Sequence, residues 1–167
     1  RVVHTDCPPA RSEELAADGR TASLHAWGNP LYALALVFTS WRPQTNNWLV
    51  RRAAALENAT GSLAMTRWQN HCQHRWLADV RPKSVAWSWE NHPWEQAFVR
   101  TAKGFGVHTV GSQDTDVGRH QLNMSPAPNR DGLDSIPSVI VCNGPAYRDE
   151  LLAWGIPQEK LAVGGSY

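Results

Sequence analysis

A carboxylate and an imidazole stand two residues apart in this chain, at Glu90 and His92. They follow an apolar run and precede a segment, 94–103, whose pattern predicts a helix. A strand that ends just before a helix brings its last side chains to the carboxyl edge of a parallel sheet, where open α/β sheets bind ligands. Neighbouring Trp side chains would partly bury a strand-end carboxylate and raise its pKa, which suits a general base. We therefore predict that the pair carries chemistry.

The same residues also have a structural interpretation. Glu90 would cap the following helix, and His92 would hydrogen-bond the backbone before Pro93. Glu95 lies in the first helical turn, where the helix dipole favours an acid, and we expect its role to be mostly structural.

A second group of polar residues follows the next predicted strand, 107–111. Ser112, Gln113 and Asp114 come directly after it and should face the same crevice. Ordinary turn chemistry accounts for them equally well, since Asp and Ser favour such loops. Asn143 and Gly144 stand between a predicted strand and a helix, where backbone N–H groups can meet an anion.

These groups depend on a regular alternation of strands and helices after residue 82. The pattern predicts strands at 84–89, 107–111, 138–142 and 161–163, with helices at 94–103 and 145–154. Such an alternation indicates βαβ units and an α/β fold with a parallel sheet. The loop 112–137 is long for a compact domain, which favours a functional role.

The first 80 residues give a less regular pattern. It predicts strands at 2–4 and 21–27 and helices at 12–19, 30–41, 48–57 and 62–80. The helix over 30–41 is apolar nearly all round, so we expect it to be buried. We expect one domain across residues 1–167.

Composition narrows the function classes. The net charge is +1 and the basic residues are scattered, which argues against a nucleic-acid-binding surface. Three widely spaced cysteines imply no disulfide framework and favour a reducing cytoplasm. The longest apolar run, 31–38, is too short to span a bilayer.

The cluster 71–74 holds two His and one Cys on one predicted helix, where they cannot all point one way, so we predict no metal site. Nine Trp residues favour core packing over a binding surface.

Three sequence blocks together resemble a known family. They are 89–95, 110–113 and a terminal block that comprises 143–152, 155–157 and 160–165. In this order they resemble the amino-terminal half of bacterial surface-carbohydrate (lipopolysaccharide and capsule) biosynthesis glycosyltransferases of GT-B type. The resemblance implies an α/β, Rossmann-like three-layer αβα domain, one half of a GT-B fold. Both ends of the chain look cut, and a second, nucleotide-binding domain is expected to follow Tyr167.

The resemblance implies transfer of a sugar from a nucleotide-activated donor to a glycan acceptor, without a metal or other cofactor. Glu90 would be the base, with His92 as its alternative or its orienting partner. The acceptor side would be lined by Ser112, Gln113, Asp114, Asn143 and Gly144. The implied partners are a glycan or lipid-linked glycan acceptor, the nucleotide sugar and the chain's own C-terminal domain, in the cytoplasm with a peripheral contact at the inner face of the inner membrane.

One residue departs from the family pattern, and other activities stay open. Relatives often carry a His after the Gln of the second block, whereas this chain has Asp114. Another GT-B-fold enzyme, such as a nucleotide-sugar 2-epimerase or a polysaccharide pyruvyl transferase, would share the fold, since fold does not select the reaction. A non-catalytic glycan-binding domain is a further alternative, and it predicts a row of exposed Trp residues.

Overall fold

A computed structural model describes residues 2–4, 21–117, 121–126 and 131–165. The chain divides into two compact units, residues 1–79 and residues 80–167. The expectation of one domain across the chain stays a prediction, and the helix expected over 12–19 lies outside the described residues.

In the first unit, two short strands pair in parallel, β1 (Val2–His4) and β2 (Thr21–Ser23). Three helices follow, α1 (Pro30–Leu36), α2 (Trp48–Thr60) and α3 (Ser62–Val80), of which the last extends to the unit boundary. Asparagines begin the first two of these helices, because their side-chain oxygens accept the N–H of Leu31 and Leu49 at 3.0 Å.

Three predictions for this unit were wrong. The strand expected over 21–27 ends at Ser23, whose hydroxyl accepts the His25 N–H and begins a 3-10 helix, Leu24–Trp27. The helix expected over 30–41 ends at Leu36, and only Leu36 of that helix is buried. The other large apolar side chains of 31–38 lie on its outward side, so the expected burial is wrong: Leu31, Leu34, Val37 and Phe38 are exposed.

The second unit is built on a four-stranded parallel sheet, which confirms the predicted α/β fold class. Its strands are β3 (Ser84–Trp89), β4 (His108–Gln113), β5 (Val139–Cys142) and β6 (Leu161–Val163), and they lie in sequence order. Helix α4 (Pro93–Gly104) connects β3 to β4, and α5 (Pro145–Ala153) connects β5 to β6. Because all pairings are parallel, the carboxyl ends of the four strands meet at one edge.

One face of this sheet carries the core. Strand residues alternate between the two faces, so the inward set follows from the register. Trp87 packs edge to face on Phe98 of α4, with ring centroids 5.3 Å apart. The core cluster comprises Trp89, Val117, Met124, Ile136, Ile140, Cys142, Leu151 and Ile156. The opposite face presents the exposed residues Ser84, Ala86, Ser88 and His108.

Gly111 permits the close packing at the centre of β4. A Cβ atom at this position would lie 2.8 Å from Cβ and Cγ of Trp89 and 3.1 Å from Cγ of Pro137. Both neighbours are fully buried, so neither can move away without disturbing the core. The chain needs glycine here because the buried Trp89 ring occupies the space of a side chain.

We therefore expect Gly111→Ala to lower the free energy of unfolding of the chain by about 1–3 kcal/mol, the usual cost of overpacking. The matched control is Gly104→Ala, since Gly104 is helical and a Cβ there would meet no atom within 4 Å. Urea unfolding followed by circular dichroism measures both variants. Equal stability of Gly111→Ala and wild type would contradict the packing argument.

Candidate active site

Glu90 and His92 form a dyad directly after β3. Oε2 of Glu90 lies 2.6 Å from Nε2 of His92, a hydrogen bond that becomes an ion pair when the imidazole is protonated. The side chains are 31% and 52% exposed, so both groups can reach a ligand from solvent. The two side chains are therefore in contact, and a carboxylate joined to an imidazole is an arrangement suited to proton transfer.

Glu95 holds this loop in place. Its carboxylate is buried, and it accepts hydrogen bonds from the Trp87 indole N–H at 2.8 Å and from the backbone N–H groups of Glu90 and His92. It lies at the third position of α4, from which an acid reaches back to the residue that begins the helix. Burial raises the pKa of Glu95, and the hydrogen bonds from His92, Glu90 and Trp87 partly oppose that rise. Through these contacts Glu95 has the structural role that its position in the first helical turn predicts.

A second set of hydrogen bonds fixes the backbone between the two members of the dyad. Asn91 is buried with a left-handed backbone, φ +58°, a conformation that asparagine tolerates better than most residues. Its carboxamide donates to the carbonyl of Asn123, and the Asn123 carboxamide donates to the Glu90 carbonyl at 2.7 Å. Gln96 donates to the Asn91 carbonyl at 3.0 Å. The loop is therefore anchored to α4 and to segment 121–126.

A cleft of about 420 Å³ opens on the exposed face of the sheet, beside the carboxyl halves of β3 and β4. Its volume falls in the range of small-molecule sites. It is lined by Ala86, Trp87, Ser88, Ser112, Gln113, Asp114 and Asn143. Four residues of the predicted site, which come from the ends of two different strands, therefore line one cleft: Ser112, Gln113, Asp114 and Asn143. The other predicted site residues, Glu90, His92 and Gly144, are not among the lining residues.

Gln113 serves mainly to hold the cleft together. It is buried, its carbonyl oxygen accepts the Asn143 N–H at 3.2 Å, and its amide donates to the Thr115 carbonyl at 2.9 Å. Its carboxamide thus has a protein partner on both its oxygen and its nitrogen. Ser112 and Gln113 belong to β4, which runs two residues further than expected because they pair with Ser88 and Trp89.

Three of the residues predicted for the site keep their side chains available for a ligand. Within the described part of the chain, the Ser112 hydroxyl, the Asp114 carboxylate and the Asn143 carboxamide make no hydrogen bond to protein. Asp114 is exposed and is the one charged residue among the described residues of the lining. The cleft therefore offers hydrogen-bonding groups and a negative charge, which suit hydroxyl or cationic ligands and not a phosphate.

Gly144 begins α5 next to the cleft, with an extended backbone and no side-chain cap. The neighbouring turn is held by Tyr147, whose hydroxyl donates to Asp116. That hydrogen bond to the carboxylate raises the pKa of Tyr147. Asp116, which lies three residues after β4, therefore has a structural contact.

The other features that stand out in the sequence do not form a second site among the described residues. No group of three His, Cys, Asp or Glu side chains suited to a metal occurs among the described residues. In the cluster 71–74, Cys72 is fully buried and burial raises its pKa to about 11, while the His71 ring stacks on Tyr32.

No helix of the described residues is long and apolar enough to cross a membrane. Of the nine Trp residues, only Trp41 and Trp48 are exposed, and both lie in the first unit.

The contacts of Glu95 predict the effect of Glu95→Gln. An amide cannot accept from all three N–H donors, so we expect the free energy of unfolding to fall by about 1–3 kcal/mol. Folding raises the pKa of Glu95 above its ordinary 4.5. The stability that this raised pKa contributes to the wild type is therefore fully present below pH 4.5 and is lost as the pH rises through the raised pKa. The stability difference between wild type and variant should therefore narrow from pH 4.5 to pH 8.

Urea unfolding across this pH range, with the exposed Glu159→Gln as control, measures that difference. A stability difference that widens as the pH rises would mean that the hydrogen bonds lower the pKa of Glu95 by more than burial raises it.

Comparisons with protein-family models, with curated proteins and with solved structures find no match to this chain. Its function is therefore inferred from the geometry of the cleft and the dyad, together with the resemblance of the three sequence blocks.

Proposed function

We propose that residues 80–165 form the acceptor-binding half of a glycosyltransferase of GT-B type that acts in bacterial surface polysaccharide biosynthesis. In this proposal the cleft binds an acceptor sugar, and the dyad activates the hydroxyl that becomes glycosylated. A second domain, beyond this chain, brings the nucleotide-activated donor.

One observation supports this proposal above the others. The Ser112 hydroxyl, the Asp114 carboxylate and the Asn143 carboxamide line one cleft and make no hydrogen bond to the residues that the structure describes. The Glu90–His92 dyad follows β3, which forms one side of that cleft. Neutral polar groups and a carboxylate are what a polyhydroxylated ligand needs, because sugar hydroxyls both donate and accept hydrogen bonds.

The dyad lies close enough to serve that ligand. Ser88 lines the cleft, and Glu90 follows two residues later, so their backbones are separated by at most about 7 Å. An acceptor that fills the cleft and extends beyond Ser88 would bring a hydroxyl to the Glu90 carboxylate. The 2.6 Å contact orients that carboxylate through His92.

The proposed reaction balances without a cofactor. The acceptor oxygen attacks the anomeric carbon of the donor while Glu90 removes its proton, and the bond between that carbon and the leaving phosphate oxygen breaks. The electron pair leaves with the nucleotide, whose charge groups of the second domain would stabilise. His92 orients the Glu90 carboxylate by its hydrogen bond, or takes the role of base in its place.

The charge of the cleft favours this role over the alternatives. A 2-epimerase acts on a nucleotide sugar within one site, which calls for cations at the diphosphate. Among the described residues that line the cleft there is a carboxylate and no basic side chain. A glycan-binding domain with a row of stacking Trp residues is not favoured, because seven of the nine Trp residues are buried or half-buried. Acceptor binding followed by transfer agrees with both observations.

The first prediction concerns ligand binding by the 167-residue chain. Titration with a panel of neutral methyl hexosides, followed by amide NMR shifts, should move signals of residues 86–88, 112–114 and 143, whereas pyrophosphate should not. For the hexoside that binds best, Asp114→Ala should weaken binding about tenfold or more, because it removes a charge-assisted hydrogen bond. Asp149→Ala, which removes an exposed carboxylate outside the cleft, should leave it unchanged. Pyrophosphate binding in the cleft would instead favour a nucleotide site.

The second prediction concerns turnover in a protein that extends through the proposed second domain. Glu90→Gln should lower kcat at least 100-fold, since general-base catalysis contributes about 10²–10⁴. Glu159→Gln, at an exposed position in the same unit, is the matched control. Products are analysed with a nucleotide sugar, with and without acceptor. Turnover of Glu90→Gln within about threefold of wild type, under about 0.7 kcal/mol of barrier, would exclude Glu90 as the base.

A further inference from the structure

The charge of Asp114 in the cleft has no counterpart among the described residues. Asp114 directly follows β4, is exposed, and makes no ion pair or hydrogen bond with any residue that the structure describes. The other four aspartates of the second unit differ from it, since each has a side-chain partner: Asp116 with Tyr147, Asp131 with Arg100, Asp134 with Lys103 and Asp149 with Arg148. The carboxylate that lines the cleft is thus the aspartate whose charge is left for a ligand.

The other described cations of this unit lie away from that carboxylate or have partners of their own. The imidazole of the dyad contacts its own carboxylate, and Lys160 donates to a backbone carbonyl at 2.8 Å. Arg81 and Lys83 precede β3, and His108 begins β4, so these three lie at the amino edge of the sheet. Asp114 follows the opposite end of β4. A cation at Asp114 would therefore have to come from a ligand.

Three neighbouring side chains supply this part of the cleft with hydrogen-bond acceptors. Ser112 and Asp114 stand on either side of Gln113, which is buried while they are not. Asn143 is fixed beside them, because its backbone N–H donates to the Gln113 carboxamide at 3.2 Å. A carboxylate, a hydroxyl and a carboxamide oxygen can each accept a hydrogen bond, and a protonated amine has three N–H donors and no acceptor. The three acceptors match those three donors.

We infer that the cleft selects an acceptor sugar that carries a protonated amino group, and that Asp114 determines this specificity. The inference rests on the proposed acceptor-binding role of the cleft. The ammonium group donates to Asp114, Ser112 and Asn143, and the hydroxyls of the sugar remain for Ser88 and for the dyad. A hydroxyl on the same carbon could also donate to Asp114, but it carries no charge and so lacks the Coulomb attraction of the ammonium group.

A metal ion fits the same charge less well. Ca²⁺ takes about six to eight oxygen ligands, usually with several carboxylates among them. The described lining of the cleft has one carboxylate, and the part of the chain that the structure describes contains no set of three His, Cys, Asp or Glu side chains suited to a metal. One carboxylate balances the single charge of an ammonium group.

The test measures the binding of matched methyl glycosides to the 167-residue chain. Methyl glucoside, galactoside and mannoside are compared with derivatives that carry a free or an N-acetylated amine at carbon 2, 3, 4 or 6. At about pH 6, where a free amine is protonated, at least one amine should bind about tenfold more tightly than both of its neutral counterparts. It should also move the amide NMR signals of residues 112–114 and 143.

Two variants separate the charge of Asp114 from its hydrogen bonding. Asp114→Asn keeps a hydrogen-bonding side chain and removes the charge, so it should reduce the preference for the amine to about twofold or less. Circular dichroism and the amide signals outside the cleft should stay unchanged. Glu159→Gln, which removes an exposed charge outside the cleft, should retain the full preference.

Equal binding of the amines and their neutral counterparts overturns the inference, and so does a preference that persists in Asp114→Asn. If neutral glycosides still bind in the cleft, the specificity alone is wrong and the proposed acceptor role stands, whereas binding of no glycoside at all contradicts both. Tighter binding of methylammonium or Ca²⁺ than of any amino sugar, at the same amide signals, would also overturn the inference, because the cleft would then recognise a cation and not a sugar.

Discussion

A single buried carboxylate determines the arrangement of the candidate active site. Glu95 accepts N–H groups from three places, namely the side chain of β3 residue Trp87, the loop at Glu90 and the first residue before α4 at His92. Without that acceptor, three donors near the sheet edge would lose their partner, and unsatisfied buried donors are costly. The position of the dyad therefore follows from a residue that is buried and does not reach the ligand. The stability of the loop and the geometry of the chemistry have the same origin.

The cleft depends on a similar device one strand further along. The Gln113 carboxamide joins the end of β4 to the start of the turn after β5, through Asn143 and Thr115. Two neighbouring strand ends thus each use one buried polar side chain to fix a backbone turn, and leave their exposed polar side chains for a ligand. Gly111 allows this arrangement to be compact, because its missing side chain lets the buried Trp89 lie against β4.

Much of the second unit was predictable because several local signals agree there. The periodicity, the Pro residues that begin α4 and α5, and the glycines that follow α4 all indicate the same strands and helices, and the observed bounds differ by one or two residues. The sequence could not show which of the acids near the end of β3 turns inward. Glu90 and Glu95 both lie beside Trp residues in the chain, and only the path of α4 makes Glu95 the buried one. In the same way, a Gln at a strand end indicates a polar contact but not whether its partner is a ligand or the protein's own backbone.

The wrong prediction for residues 31–38 has a different physical cause, and it bears on how such runs are interpreted. An apolar run predicts that water is excluded from those side chains, but the pattern does not state what excludes it. In a parallel strand or a core helix, the chain itself supplies the cover, and the inference from run to burial holds. In α1 the chain covers Leu36 and leaves Leu31 and Leu34 exposed. Val37 and Phe38, directly after the helix, are exposed as well. An apolar run therefore predicts burial only where another part of the chain lies against it, and in α1 that condition holds for Leu36 alone.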